Sequence, residues 1–206
     1  MAYSDFTLYE VTRRFQLTID ENSDLFPSVT DSQISPLLAE ILRETAPLAL
    51  AIQTEKARSE LIIAPILVEL RKLAQHQISL FSGVDFTVDP TQGLNGACDY
   101  IITRSTEQLF ISSPVLMIIE AKKENIVAGM AQCMAAMIAA RIFNEREANH
   151  ISTIYGAVTT GNIWKFLKLE NNIAFIDRQE YYFNNLSKIL GVLRYIVGAD
   201  TPVMAA

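Results

Sequence analysis

Val115-Leu-Met-Ile-Ile-Glu120-Ala-Lys122 is the stretch on which the reading of this chain turns. Its first five residues are apolar without a break, as in a strand covered on both faces. Charge then arrives abruptly as Glu120 and Lys122, followed by Lys123-Glu-Asn. The end of a buried strand is a costly place for unpaired charge, so these groups are expected to have partners or work to do. Side chains alternate along a strand, which sends Glu120 and Lys122 to the same side. The Ala121 carbonyl between them is then free to act as a further oxygen ligand.

Working upstream, residues 98–103 read as a short strand opened by Asp99, with a turn at 105–108. If this strand forms a hairpin with 115–121, Asp99 comes beside Glu120. Residues 78–88, rich in Phe, Val and Ile, read as another strand, and 89–96 carry loop chemistry. Residues 54–75 read as a long helix with Ile62, Ile66, Leu70 and Leu73 at helical spacing; Pro65 interrupts it, where a kink is expected. A helix over 37–50 has Ser35 as N-cap and Pro36 at its first position, with Pro47 expected to bend or end it. The first 24 residues are mixed, with strand-prone or short-helical pieces.

Downstream, residues 127–143 read as a helix whose main apolar stripe is Met130, Cys133, Met134, Met137 and Ile138. Residues 151–158 and 163–169 read as strands joined by Thr159-Thr-Gly-Asn, a hairpin. Residues 174–183 extend the sheet or form a short edge, and 185–197 close the chain as an amphipathic helix. The order helix, strand, strand, strand, helix, strand, strand, helix predicts an α/β fold with a mixed central sheet flanked by helices. Residues 1–53 are expected to be an N-terminal, largely helical extension or cap, 54–198 the main domain, and 199–206 a flexible tail.

Metal-assisted phosphodiester cleavage needs hard oxygen ligands converging on Mg²⁺ or Mn²⁺, an activated water, and neutralisation of charge on the phosphate. Asp99, Glu120 and Lys122 are the residue types such a site requires. Their pattern resembles the PD-(D/E)XK nuclease superfamily, over roughly residues 56–169. Cys98 stands where many members carry the proline before the Asp. The resemblance implies a restriction-endonuclease-like fold and a Mg²⁺- or Mn²⁺-dependent endonuclease, with DNA expected ahead of RNA as substrate. It implies Asp99, Glu120 and the Ala121 carbonyl as metal ligands, Lys122 beside the attacking water, and Glu60 as an outer ligand. It also implies that Gln132 orients the site by hydrogen bonding. The hairpin Gly161-Asn-Ile-Trp-Lys-Phe is similar to the one following that helix in type I restriction subunits.

Each residue has a plainer reading. Glu120 and Lys122 could be a solvated charge pair at a strand end, and Asp99 the close of the Asn95-Gly96 turn. Glu60 shares a helical stripe with Ala64 and Leu67; Glu69, on a stripe with Ile62 and Ile66, competes for its role. Gln132, among Ala136, Ala139 and Phe143, could be a satisfied polar group in a packed helix. Trp164 reads as core ahead of a base-stacking platform.

Composition narrows the classes. Half of the 206 residues are hydrophobic and 19% are charged, enough to bury a large core. The net charge of −6 and isoelectric point of about 5.0 count against passive nucleic-acid binding. Lys56, Arg58, Arg71, Lys72, Arg104 and Lys165 are the basic residues available to line a cleft. Two cysteines and two distant histidines make neither a disulfide framework nor a zinc site. The apolar run 125–140 is shorter than a bilayer-spanning helix, and the start Met1-Ala-Tyr-Ser-Asp is unlike a signal peptide, so a cytoplasmic protein without membrane contact is expected. The high apolar content is compatible with a homodimer. A non-catalytic relative serving as a binding or assembly module is the competing function. A small-molecule hydrolase ranks last, for want of a nucleophile elbow or phosphate loop.

Overall fold

A computed structural model describes residues 1–198; the tail expected over 199–206 lies outside them. The chain opens with a short turn at Tyr3–Asp5 and helix α1 (Leu8–Arg14). A capping box starts α1: Thr7 accepts from the Glu10 N–H, and the Glu10 carboxylate accepts from the Thr7 N–H. Strand β1 (Thr18–Asp20) follows, then α2 (Pro36–Ile52), where the Ser35 hydroxyl accepts from the Leu38 N–H at 3.2 Å. Pro47 lies within α2, which runs on past it to Ile52.

The long helix expected over 54–75 forms as three contiguous pieces: α3 (Glu55–Arg58), a widened π-turn (Ser59–Ile63) and α4 (Ala64–Leu73). Pro65 explains the widening. It has no N–H to give the Leu61 carbonyl four residues back, and its ring would collide with that carbonyl in a regular helix. The stranded carbonyl accepts instead from Thr45 Oγ1, at 2.6 Å, on α2.

The sheet strands are β2 (Ser79–Asp85), β3 (Ala97–Thr103), β4 (Val115–Ala121), β5 (Thr153–Thr159), β6 (Ile163–Glu170), β7 (Ile173–Ile176) and β8 (Tyr181–Tyr182); α5 (Ile126–Arg146) joins β4 to β5, and α6 (Leu186–Val197) closes the described chain. The eight strands form one mixed sheet in the order β1-β7-β6-β5-β4-β3-β2, with β8 paired to β6. The β4/β5 and β1/β7 pairs are parallel and the others antiparallel. This is an α/β fold with a mixed sheet flanked by helices.

One apolar layer packs α2, the π-turn, α4 and α6 on the sheet through residues such as Leu42, Ile62, Ile66, Met117 and Leu193. The other packs α5 and the N-terminal segment on the opposite face, through Tyr3, Ile101, Ile118, Met134 and Val158. Lying between them, β4 is buried at all seven residues. Asn144 of α5 fixes its start: the side chain accepts from the Val115 N–H at 2.7 Å and donates to the Val115 carbonyl at 2.9 Å.

By length and composition α5 could cross a bilayer, yet it lies against β4 and β5 with 61% of its most apolar stretch buried. A helix apolar all round needs such cover.

The region 174–183 divides. β7 extends the sheet and β8 returns to the far end of β6. Buried Asp177 holds the break, accepting from the N–H groups of Leu25 and Gln179 and from the Tyr181 hydroxyl. The first 53 residues, expected as an extension, contribute to both layers and to the sheet, since β1 is its edge strand beside β7.

Candidate functional site

The antiparallel register of β3 and β4 sets Tyr100 opposite Ile119. One step further along, Asp99 meets the end of β4, where its Oδ2 accepts from the Ala121 N–H at 2.8 Å. Alternation turns Glu120 toward α5, and no part of it is exposed. Its Oε2 accepts from Gln132 Nε2 at 2.7 Å and lies 3.6 Å from Lys122 Nζ. The Lys122 side chain is 18% exposed, and its backbone N–H donates to the Thr159 carbonyl at 2.8 Å. Asp99, Glu120, Lys122 and Gln132 are thus brought together where β4 meets the start of α5.

Two features mark Glu120 as more than a satisfied core group. Burial pushes its carboxyl well above the ordinary 4.5, and the Asp99 charge pushes it the same way; Lys122 opposes both. Glu120 Oε1, also buried, has no hydrogen-bond partner among the described residues. An unmet buried acceptor of this kind costs about 1–3 kcal/mol.

These residues fit a hard divalent cation. Mg²⁺ is commonly held by one or two carboxylates and keeps several waters. Asp99 and Glu120 supply two carboxylates and the Ala121 carbonyl lies between the strand-end charges, while the orphaned Oε1 is an oxygen in need of a positive partner. Among the described residues, no group of three or more His, Cys, Asp or Glu side chains is placed to share a metal ion. The donor set is therefore a pair.

Glu60 does not join it. Its side chain is 61% exposed and its carboxylate lies 3.7 Å from Lys56 Nζ. Glu60 sits in the π-turn, and the extra residue per turn breaks the 3.6-residue phase that would have stacked it with Ala64 and Leu67. Glu69 is the buried acid of this run, 3.6 Å from Lys72 Nζ, with Oε1 unpartnered among the described residues. Trp164 is fully buried and stacks on Phe166, so it belongs to the core. Of the basic residues, Arg58 donates to the Thr160 carbonyl, Arg71 meets His76 Nδ1, and Lys56 and Lys72 have the acidic partners just described.

Sequence reasoning missed three neighbours. Glu55 Oε2 accepts from the Lys123 N–H at 3.2 Å, pinning the chain just after Lys122. The Tyr100 hydroxyl donates to the Ser59 carbonyl at 2.9 Å and lies 2.7 Å from Ser59 Oγ, tying the π-turn to β3 beside Asp99. Gly129 gives α5 its close approach to Val158 of β5 and to Lys122, just past the end of β4. A lone glycine inside a helix, costing about 1 kcal/mol relative to alanine, is a signal for such an approach. The other two contacts join distant segments and leave no local mark. No family model matches the chain, and no curated protein matches it in sequence.

Proposed function

We propose that this chain is a restriction-endonuclease-like nuclease that hydrolyses phosphodiester bonds with Mg²⁺ or Mn²⁺, with DNA as the first substrate class. The observation that carries this reading is the buried Glu120 carboxyl, one oxygen unmet among the described residues, flanked by Asp99, Lys122 and Gln132. A packed core has no reason to bury a carboxyl beside a second acid when an apolar residue would be more stable there. When bound, the cation would polarise the phosphate and lower the pKa of a coordinated water. Asp99 and Glu120, with the Ala121 carbonyl, would hold it. Gln132 orients Glu120 by donating to Oε2, which leaves Oε1 for the ligand. Lys122 presents an ammonium that offsets charge developing on the scissile phosphate.

A second reading, a non-catalytic binding or assembly module of the same fold, draws on two observations. The donor set is a pair of carboxylates, and five of the six candidate cleft cations are engaged by neighbouring groups, Lys165 through the Arg178 carbonyl. The test is cleavage of supercoiled and linear duplex DNA, single-stranded DNA and RNA with Mg²⁺ or Mn²⁺. Wild type is compared with Glu120→Ala and Lys122→Ala. The nuclease reading expects cleavage by the wild type that both variants lose. A folded wild type that cuts none of these substrates with either metal supports the module.

A further inference from the structure

We propose that Gly129 is a positioning residue: its missing side chain is the channel through which the Lys122 stem reaches Glu120. This rests on the reading of Lys122 as the ammonium that serves the carboxylate pair. Lys122 leaves the end of β4 and must turn back to reach a residue two positions earlier. The path it takes runs across α5. A Cβ built on Gly129 would stand 2.9 Å from Lys122 Cγ and 3.4 Å from Cε, and 2.5 Å from Val158 Cγ1 on β5. Real side chains essentially never approach so closely, so Lys122, Val158 or the helix must move if any residue but glycine stands there.

Gly129 also stands three residues before Gln132, on the same face of the helix. One turn of α5 therefore does two things. It sends the Gln132 amide to Glu120 Oε2, and a turn earlier it leaves the gap for the lysine that approaches the same oxygen. Glycine inside a helix is unfavourable on its own account, and here the gap gives it a purpose.

Gly129→Ala alone would strain Val158 as well and so confuse packing with placement. The informative variant is Gly129→Ala combined with Val158→Ala, compared with Val158→Ala alone. The second substitution removes the β5 obstacle and leaves Lys122 as the nearest atom group in the way. Amine-directed reductive methylation followed by peptide mass mapping reads the placement of each lysine. Lys122 is at present more shielded than Lys123, 18% against 52% exposed. The expected result is a severalfold rise in Lys122 labelling over Val158→Ala, with Lys123 and Lys165 unchanged. Where the wild type cleaves, turnover in the double variant should fall toward that of Lys122→Ala while Mn²⁺ affinity is kept. Lys122 labelling at the Val158→Ala rate would overturn the proposal. So would a joint rise at all three lysines, which would make Gly129 a packing residue of α5. Labelling needs no catalysis, so an inactive wild type would defeat the nuclease reading and leave this test standing.

Discussion

Gln132 Nε2 donates to Glu120 Oε2 across 2.7 Å, joining the helix after the carboxylate strand to the buried acid at its end. The bond consumes one Glu120 oxygen and leaves the other unmet among the described residues. Gln132→Leu keeps the volume and removes the donor. Expected are a loss of about 1–3 kcal/mol of stability and a fall of about 10–100-fold in Mn²⁺ affinity, as for other residues that orient a metal ligand. Chemical denaturation and calorimetric titration on the same preparation read both. Unchanged affinity in the variant would mean Gln132 serves packing alone.

The raised Glu120 carboxyl predicts a pH dependence with a definite sign. The folded chain holds this proton more tightly than the unfolded chain does. Its contribution to stability is therefore full below the ordinary 4.5 and is lost as pH rises through the elevated folded value. Glu10, Asp20 and Asp89 act in the opposite sense, since hydrogen bonds lower them; their contributions are lost on the acid side. Glu120→Gln imitates the protonated acid. It should match the wild type in acid, exceed it in alkali and flatten the decline. Urea unfolding of the metal-free protein across a pH series checks this, and a wild type whose stability rises steadily over the alkaline range contradicts it.

Thr45 Oγ1 takes the place of the proline N–H that Leu61 lacks. Thr45→Val keeps the shape and removes the donor, leaving the Leu61 carbonyl without its side-chain partner at the π-turn. A loss of about 1–2 kcal/mol is expected, and because the π-turn bonds Tyr100 beside Asp99, metal affinity should weaken with it. Thermal unfolding and titration measure the pair. A stability equal to wild type would show that water replaces Thr45 at no cost.

How much of this was legible in the sequence depended on how local the cause was. The apolar run of β4 and the charge at its end are local, and so the buried strand, its pairing with β3 and the meeting of Asp99 with Glu120 could be read. Gln132 was within reach because it lies on the next element, at a spacing the resemblance singled out. The facing of Glu60 was not: Pro65 was visible as a disturbance, but its consequence, a π-turn that rotates Glu60 to solvent beside Lys56, depends on Thr45 reaching over from another helix. The break in residues 174–183 turns on Asp177, whose partners include Leu25, far away in the chain. β1, three residues long, carries too little pattern to be separated from the mixed segment around it, and its pairing with β7 is settled by tertiary contact.

The most direct test of the central claim, that Asp99 and Glu120 form a carboxylate pair that takes a divalent cation, is calorimetric titration of Mn²⁺. It should be run at two pH values and in buffers of different ionisation enthalpy, on wild type and on Glu120→Ala. The raised Glu120 carboxyl favours its protonated form, and a proton held there must be released when the cation binds. The account predicts saturable binding by the wild type that strengthens with pH, releases a proton and disappears in Glu120→Ala. A folded wild type that binds no Mn²⁺ at either pH, or binds it equally well without Glu120, would contradict it.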